Sequence, residues 1–257
     1  MSTLDTATHE STIATTQPLD PYPYGWRYVQ RTLPNGVVVS DRVALTLEDV
    51  LHPQEGDQVT HSDLHQRICT YLYNVFCALL ALNQGAVVLN DVRVAWDTPD
   101  IKPHRPDLAV IFGVRERKNW SIFDSAEEGV RPTIIVEVTS PETRNTDLID
   151  KLEEYDLAGV PIYIIIDLVQ RKNQVIHRLL GYQQTEMAYE MMLPDPQRRL
   201  WIEPLNIWLG VNDQGVICYN ADNTPVGDYT KVQQELTAAE QRIKELEAEL
   251  RKLRGEA

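Results

Sequence analysis

Arg105-Pro-Asp-Leu-Ala-Val-Ile-Phe112 and Ile134-Ile-Val-Glu-Val-Thr-Ser140 are apolar runs of strand length, and each carries one carboxylate. An acid within or beside a buried strand is costly unless a cation or hydrogen bonds compensate it. Asp107 and Glu137 are therefore the first candidates for a site, and a shared divalent metal would provide the compensation. Taken alone, Asp107 after Pro106 reads equally as a turn former. Glu137 has aliphatic residues on both sides, where turn chemistry has no role.

Working outward, the residue pattern predicts an α/β domain. Leu64, Ile68, Leu72, Val75, Phe76 and Leu79 recur at helical spacing, with Thr60 and Asp63 as a capping-box-like start and Asn83-Gln84-Gly85 as the stop. His61 and His65 stand four apart at its beginning; without a third ligand nearby in sequence they read as solvated-turn or capping residues. Residues 87–89 and 92–96 predict a strand interrupted at Asn90-Asp91. Residues 108–112 form the next strand, 113–131 a polar surface excursion carrying Trp120 and Phe123, and 133–138 a strand at the sheet centre, covered on both faces. A helix then opens at Asn145 or Thr146 and ends at Gly159 and Pro161. On it Asp147, Lys151 and Tyr155 lie four apart and share one face, while Leu148, Leu152 and Leu157 supply an apolar face. Residues 163–167 are a further strand, 174–180 continue the sheet or begin a hairpin, and pieces at 189–193, 200–202 and 216–219 predict a small antiparallel addition.

The 257 residues carry 24 Lys and Arg against 38 Asp and Glu, a net charge of −14 that opposes non-specific attraction to nucleic acid. A local basic face remains compatible with that total, since Lys102, Arg105, Arg115, Arg117 and Lys118 outnumber Asp107 and Glu116 between 101 and 118. Cys69, Cys77 and Cys218 are odd in number and unremarkably spaced, so they read as core thiols. No charged-then-apolar leader and no apolar run of spanning length appear, which predicts a soluble, cytoplasmic protein without membrane contact. Residues 1–20, rich in Ser and Thr, read as a disordered tail and 21–228 as one domain. Residues 229–257 read as a coiled coil: Val232, Leu236, Ala239, Ile243, Leu246, Leu250 and Leu253 alternate steps of four and three. That seam predicts a homodimer; a helix packed back on the domain is the competing reading.

Two acids on adjacent strands can aim at one cation, and oxygen ligands of this kind suit Mg²⁺ or Mn²⁺. Singly, Lys151 reads as an i,i+4 partner of Asp147 and Tyr155 as core cover. Jointly, over roughly residues 61–167, the motifs resemble the PD-(D/E)XK nuclease superfamily, and more closely its Uma-type branch of restriction endonucleases. Pro106-Asp107 is similar to the PD element and Glu137-Val-Thr-Ser-Pro141 to the branch's E-V-x-S-P element. Asp147, Lys151 and Tyr155 resemble its D-x3-K-x3-Y helix, and Gly159-Val-Pro-Ile-Tyr163 the run into the next strand.

The resemblance implies a restriction-endonuclease-like αβββαβ core with a mixed central sheet, to which extra β-strands and the C-terminal coiled-coil helix are added. It implies Mg²⁺- or Mn²⁺-dependent cleavage of DNA, with Asp107, Glu137 and Lys151 catalytic and Asp107, Glu137 and the Val138 carbonyl as metal ligands. Ser140, Asp147 and Tyr155 take supporting places, and Asp63 is the nearest candidate for the acid that the superfamily commonly carries on its first helix. Thr139 stands where the superfamily's usual lysine lies, so the reading requires Lys151 to reach the site from the helix. Together with the acidic total, this departure supports a second expectation: a catalytically inactive nuclease-fold interaction module that dimerises through its C-terminal helix.

Overall fold

A computed structural model describes residues 21–254 except 23, 60–61, 141–143, 172–173, 213–214 and 228; the expected tail at 1–20 and the readings of Thr60, His61 and Pro141 lie outside the described residues. In chain order the elements are β1 (Trp26–Thr32), β2 (Val38–Ala44), α1 (Leu47–Leu51), α2 (Asp63–Leu79), β3 (Ala86–Asn90), β4 (Arg93–Ala95), β5 (Leu108–Phe112), β6 (Ile122–Asp124) and α3 (Ser125–Glu128). There follow β7 (Pro132–Val138), α4 (Arg144–Leu148), α5 (Asp150–Leu157), β8 (Ile162–Arg171), β9 (Gln174–Gln184), β10 (Tyr189–Met191), β11 (Leu200–Ile202), β12 (Ile207–Asn212), β13 (Gly215–Asn220) and α6 (Tyr229–Arg254).

The central sheet has the order β10-β9-β8-β7-β5-β3. It is mixed: β7 runs antiparallel to β5 and parallel to β8. Period-two alternation explains why the runs in β5 and β7 are apolar throughout. Leu108, Val110, Ile134 and Val136 point to one face and join Ile68, Leu72 and Phe76 of α2 in one core. Ala109, Ile111 and Ile135 point to the other and pack with Tyr155, Ala158 and Phe123. The order α2, β3, β5, β7, α4 with α5, and β8 is the αβββαβ core expected from the sequence, and β11-β12-β13 form a separate antiparallel sheet.

Several local expectations need correction. Helix α2 is capped by Ser62, whose hydroxyl accepts the His65 N–H at 3.2 Å. The excursion at 113–131 is anchored, because β6 pairs in parallel with β4 and buries Phe123 completely. The strand β10 joins the edge of the central sheet through β9, outside the smaller antiparallel addition. The single helix expected before Gly159 is two, broken at Ile149 (φ −124°, ψ −67°). Leu157 is exposed, so Leu148 and Leu152 alone of the three leucines pack on the core. Gly159, at φ +74°, lets the chain turn sharply out of α5 towards β8.

On α6, Val232, Leu236, Ile243, Leu246, Leu250 and Leu253 are all exposed, so the described chain does not cover the heptad stripe. Among the described residues no helix is long and apolar enough to cross a membrane.

Candidate active site

The register of the central sheet brings the two acids together. Leu108 pairs with Val136, so one step outward Asp107 stands opposite Glu137 at the same end of the sheet. The Asp107 N–H reaches Glu137 Oε2 at 3.4 Å, and the Val138 N–H donates to Asp107 Oδ2 at 2.8 Å. Backbone pairing, not side-chain chance, therefore fixes both carboxylates.

Helix α5 runs beneath the same strand ends. Lys151 Nζ lies 3.0 Å from Glu137 Oε1 and 2.8 Å from Asp147 Oδ1. The Tyr155 hydroxyl donates to Glu137 Oε1 at 2.8 Å. Its ring is held by Trp96, His104 and Tyr163, with centroid separations of 5.9, 4.9 and 4.9 Å. Tyr155 thus positions Glu137 from a rigid aromatic nest. Asp107, Glu137, Val138, Ser140, Asp147 and Lys151 all line one cavity of about 50 Å³, several times the roughly 10–15 Å³ that one water requires.

Thr139 does not share that lining. Its buried hydroxyl donates to Asp167 Oδ1 at 3.2 Å and accepts the Leu168 N–H at 2.9 Å, joining β7 to β8. Arg144 completes this group with a bidentate pair to Asp167 at 2.6 and 2.9 Å. Lys151 is the lysine that reaches the carboxylates.

Asp63, by contrast, is exposed and pairs with Arg67 at 3.1 Å, away from the cavity. The residue of α2 that enters is His65, which is buried and donates from Nε2 to Asp107 Oδ2 at 3.0 Å. The sequence carried a signal for this. His65 stands three and four residues before Ile68 and Cys69, so it continues the buried face of α2.

The electrostatics follow from crowding three acids around one lysine. Burial first, then repulsion by Asp107 and Asp147, pushes the Glu137 carboxyl up to about 8 against the pull of Lys151 and Tyr155. Burial also acts to raise Asp107, but the hydrogen bond and charge of His65, with Lys151 and the Val138 N–H, hold it below the usual range. Burial opposes the Lys151 charge, yet Asp147, Glu137 and Asp107 together raise its pKa, so it stays an ammonium. His65 is raised likewise: burial works against its charge and Asp107 outweighs it.

This donor set fits a hard divalent cation. Asp107, Glu137 and Asp147 present three carboxylates to a single permanent cation, and oxygen donors of this kind match Mg²⁺ or Mn²⁺. Among the described residues the groups of three His, Cys, Asp or Glu donors whose ligand atoms all lie within 4.8 Å of one another are two different ones, so the three carboxylates themselves are spread more widely than that. In His65, Cys69 and Asp107, burial raises the Cys69 thiol far above its ordinary range in the metal-free protein, and His65 Nε2 is already bonded to Asp107 Oδ2 at 3.0 Å. In His52, His104 and Glu154, the Trp96 indole donates to His104 Nδ1 at 2.8 Å. The neutral ring must then carry its proton on Nε2, which faces Glu154, so that nitrogen has no lone pair for a metal.

The profile of the Uma2 family, described as "Putative restriction endonuclease", matches residues 54–211 and so includes Asp107, Glu137 and Lys151. Among solved structures, the chain is similar to a "putative nuclease belonging to DUF820" from Anabaena variabilis, with 17% identity and a TM-score of 0.43. That match covers 59% of this chain and 80% of the other. Comparison with curated proteins gave no match.

Proposed function

The chain belongs to the Uma2 family, and from that premise we propose that it is a divalent-metal-dependent endonuclease hydrolysing phosphodiester bonds of DNA. The observation that carries this reading is the meeting of Asp107, Glu137 and Asp147 around the Lys151 ammonium in a cavity at the open end of β5 and β7. We assign Asp107, Glu137 and the Val138 carbonyl as ligands of Mg²⁺ or Mn²⁺. When bound, such an ion supplies Lewis-acid polarisation of the phosphodiester and acidification of a water.

The chain's own groups do the rest. Asp107 is held ready as a carboxylate by His65 and the Val138 N–H, and Tyr155 fixes the orientation of Glu137. Lys151 remains charged and stands at the wall of the cavity, where a cation can stabilise negative charge that develops on the phosphate in the transition state. Because it approaches from α5, Thr139 is released to brace β7 against β8. Ser140 adds a polar group to the cavity wall.

The deciding assay incubates supercoiled and linear DNA with purified protein and Mg²⁺ or Mn²⁺, beside the Asp107→Ala variant. Removing a direct ligand is expected to lower cleavage by at least about 100-fold, more than the loss of an outer-shell partner. Equal cleavage by the two proteins would refute the assignment. No cleavage by either, together with no Mn²⁺ binding, would favour the inactive interaction module.

We further propose that two copies associate through α6. Its apolar stripe follows heptad spacing and is exposed along the helix, and a helix with such a stripe gains most by burying it against an equal partner. A dimer would present two sites to the two strands of a duplex. Ending the chain at Gly227 is expected to halve the mass measured by light scattering while the circular dichroism of the remaining domain persists. A monomeric full-length protein would sink this part of the proposal.

A further inference from the structure

Beside the carboxylate cavity lies a second one, of about 360 Å³, lined by Gln54, Glu55, Asp57, Asp91, Arg93, Arg105 and Ser121 among others. The volume lies at the small end of the roughly 300–1,000 Å³ typical of ligand pockets. Pro53, Asp91 and Arg105 line both cavities, so the two are contiguous.

The charges of this second cavity are unevenly spent. Asp57 is consumed by Arg27, at 2.8 Å, and Arg105 by Asp91, at 2.8 Å. Glu55 is exposed, where water screens it. Arg93 differs: among the described residues no carboxylate pairs with its guanidinium, and its Nε is buried without a hydrogen-bond partner. A buried N–H left unmade is costly, and a guanidinium presents a planar fork suited to two oxygens of one anion. The strand β4 holds Arg93 in place by pairing it with Ile122 of β6.

Resting on the nuclease reading above, we propose that Arg93 binds a phosphate of the nucleic-acid strand adjacent to the scissile one, with Arg105 at the junction of the two cavities. The small inner cavity then receives the reacting phosphate alone, and the larger one the neighbouring nucleotide unit. Such a contact is blind to sequence and sets the register of the strand over Asp107 and Glu137.

The test is fluorescence anisotropy of a short fluorescein-labelled oligonucleotide, single-stranded and duplex, titrated with full-length protein in Ca²⁺ over a series of salt concentrations. Arg93→Gln is expected to weaken binding about tenfold and to make the log–log salt slope shallower by roughly one. Arg93→Lys should recover most of the slope, because the charge returns. Ser121→Glu, on the exposed rim, places a negative charge in the cavity without touching Arg93 and should weaken binding as well; it carries the test if Arg93→Gln fails to fold. Wild-type affinity and slope in both Arg93→Gln and Ser121→Glu would overturn the inference while leaving metal-dependent cleavage standing. Loss of cleavage and of oligonucleotide binding in the wild-type protein itself would instead remove the nuclease reading, and this inference with it.

Discussion

Replacing Lys151 by Met is expected to abolish metal-dependent DNA cleavage and, in the metal-free protein, to lower stability by about 3–5 kcal/mol, the usual cost of removing one partner from a buried ion cluster. The ammonium is almost wholly buried between Glu137 and Asp147. Without it three carboxylates share one low-dielectric space, and the nearest must take up protons or repel. Methionine keeps much of the volume, so the effect isolates charge from packing. The electrostatic account makes a second, less obvious claim: Mn²⁺ should raise the thermal midpoint of the Met variant more than that of the wild type, since the ion replaces the missing positive charge. The catalytic account requires that saturating Mg²⁺ does not restore cleavage, with a deficit of about 10²–10³ or more. Normal cleavage at saturating metal would leave Lys151 a structural counter-ion only, and an unchanged midpoint without metal would refute the electrostatic account.

Much of this arrangement was legible in the sequence because it rests on short-range periodicities. Continuous apolar runs at β5 and β7 announced a sheet covered on both faces, and the four-residue spacing of Asp147, Lys151 and Tyr155 put them on one side of the chain even though Ile149 divides the helix. What remained illegible depended on partners distant in sequence. Nothing local tells that Leu108 lies against Val136, yet that register is what sets Asp107 opposite Glu137. Phe123 looked like part of a polar excursion because its burial depends on β4, about thirty residues earlier. The choice between Asp63 and His65 is instructive in another way. Both stand in the first turn of α2; the acid fits the chemistry expected of a metal site, but the helix phase gives the inward place to the histidine.

Lys151 also accounts for the departure at Thr139. A lysine two positions after Glu137 would compete with the bridge that Thr139 makes to Asp167 and Leu168. The cation enters from α5 instead, and it comes accompanied by Asp147, which adds a third carboxylate to the site. That extra acid has a measurable consequence for the neighbouring Glu137, whose carboxyl is raised first by burial and then by Asp107 and Asp147.

Affinity for Mn²⁺ or Mg²⁺ is accordingly expected to climb with pH and to level off above the Glu137 titration. The folded-state value of about 8 lies above the ordinary 4.5, so at neutral pH most of this carboxyl carries a proton that an incoming ion must displace. Each unit of pH below about 8 should then cost roughly tenfold in affinity. The His65 proton, retained by Asp107, acts in the same direction. In the metal-free protein the sign is the complementary one. A raised pKa gives stability that is complete below 4.5 and is lost as the pH rises through about 8, so the apo protein should weaken across that window. Glu137→Gln should flatten this dependence while eliminating tight Mn²⁺ binding. Calorimetric titrations at about pH 6, 7, 8 and 9, each in two buffers of different ionisation heat, read both quantities: affinity directly, and proton release from the buffer difference. About one proton or more released at pH 7, falling towards zero at pH 9, is the expected pattern. A pH-independent affinity would mean that Glu137 is already ionised across this range and would refute its burial-driven shift.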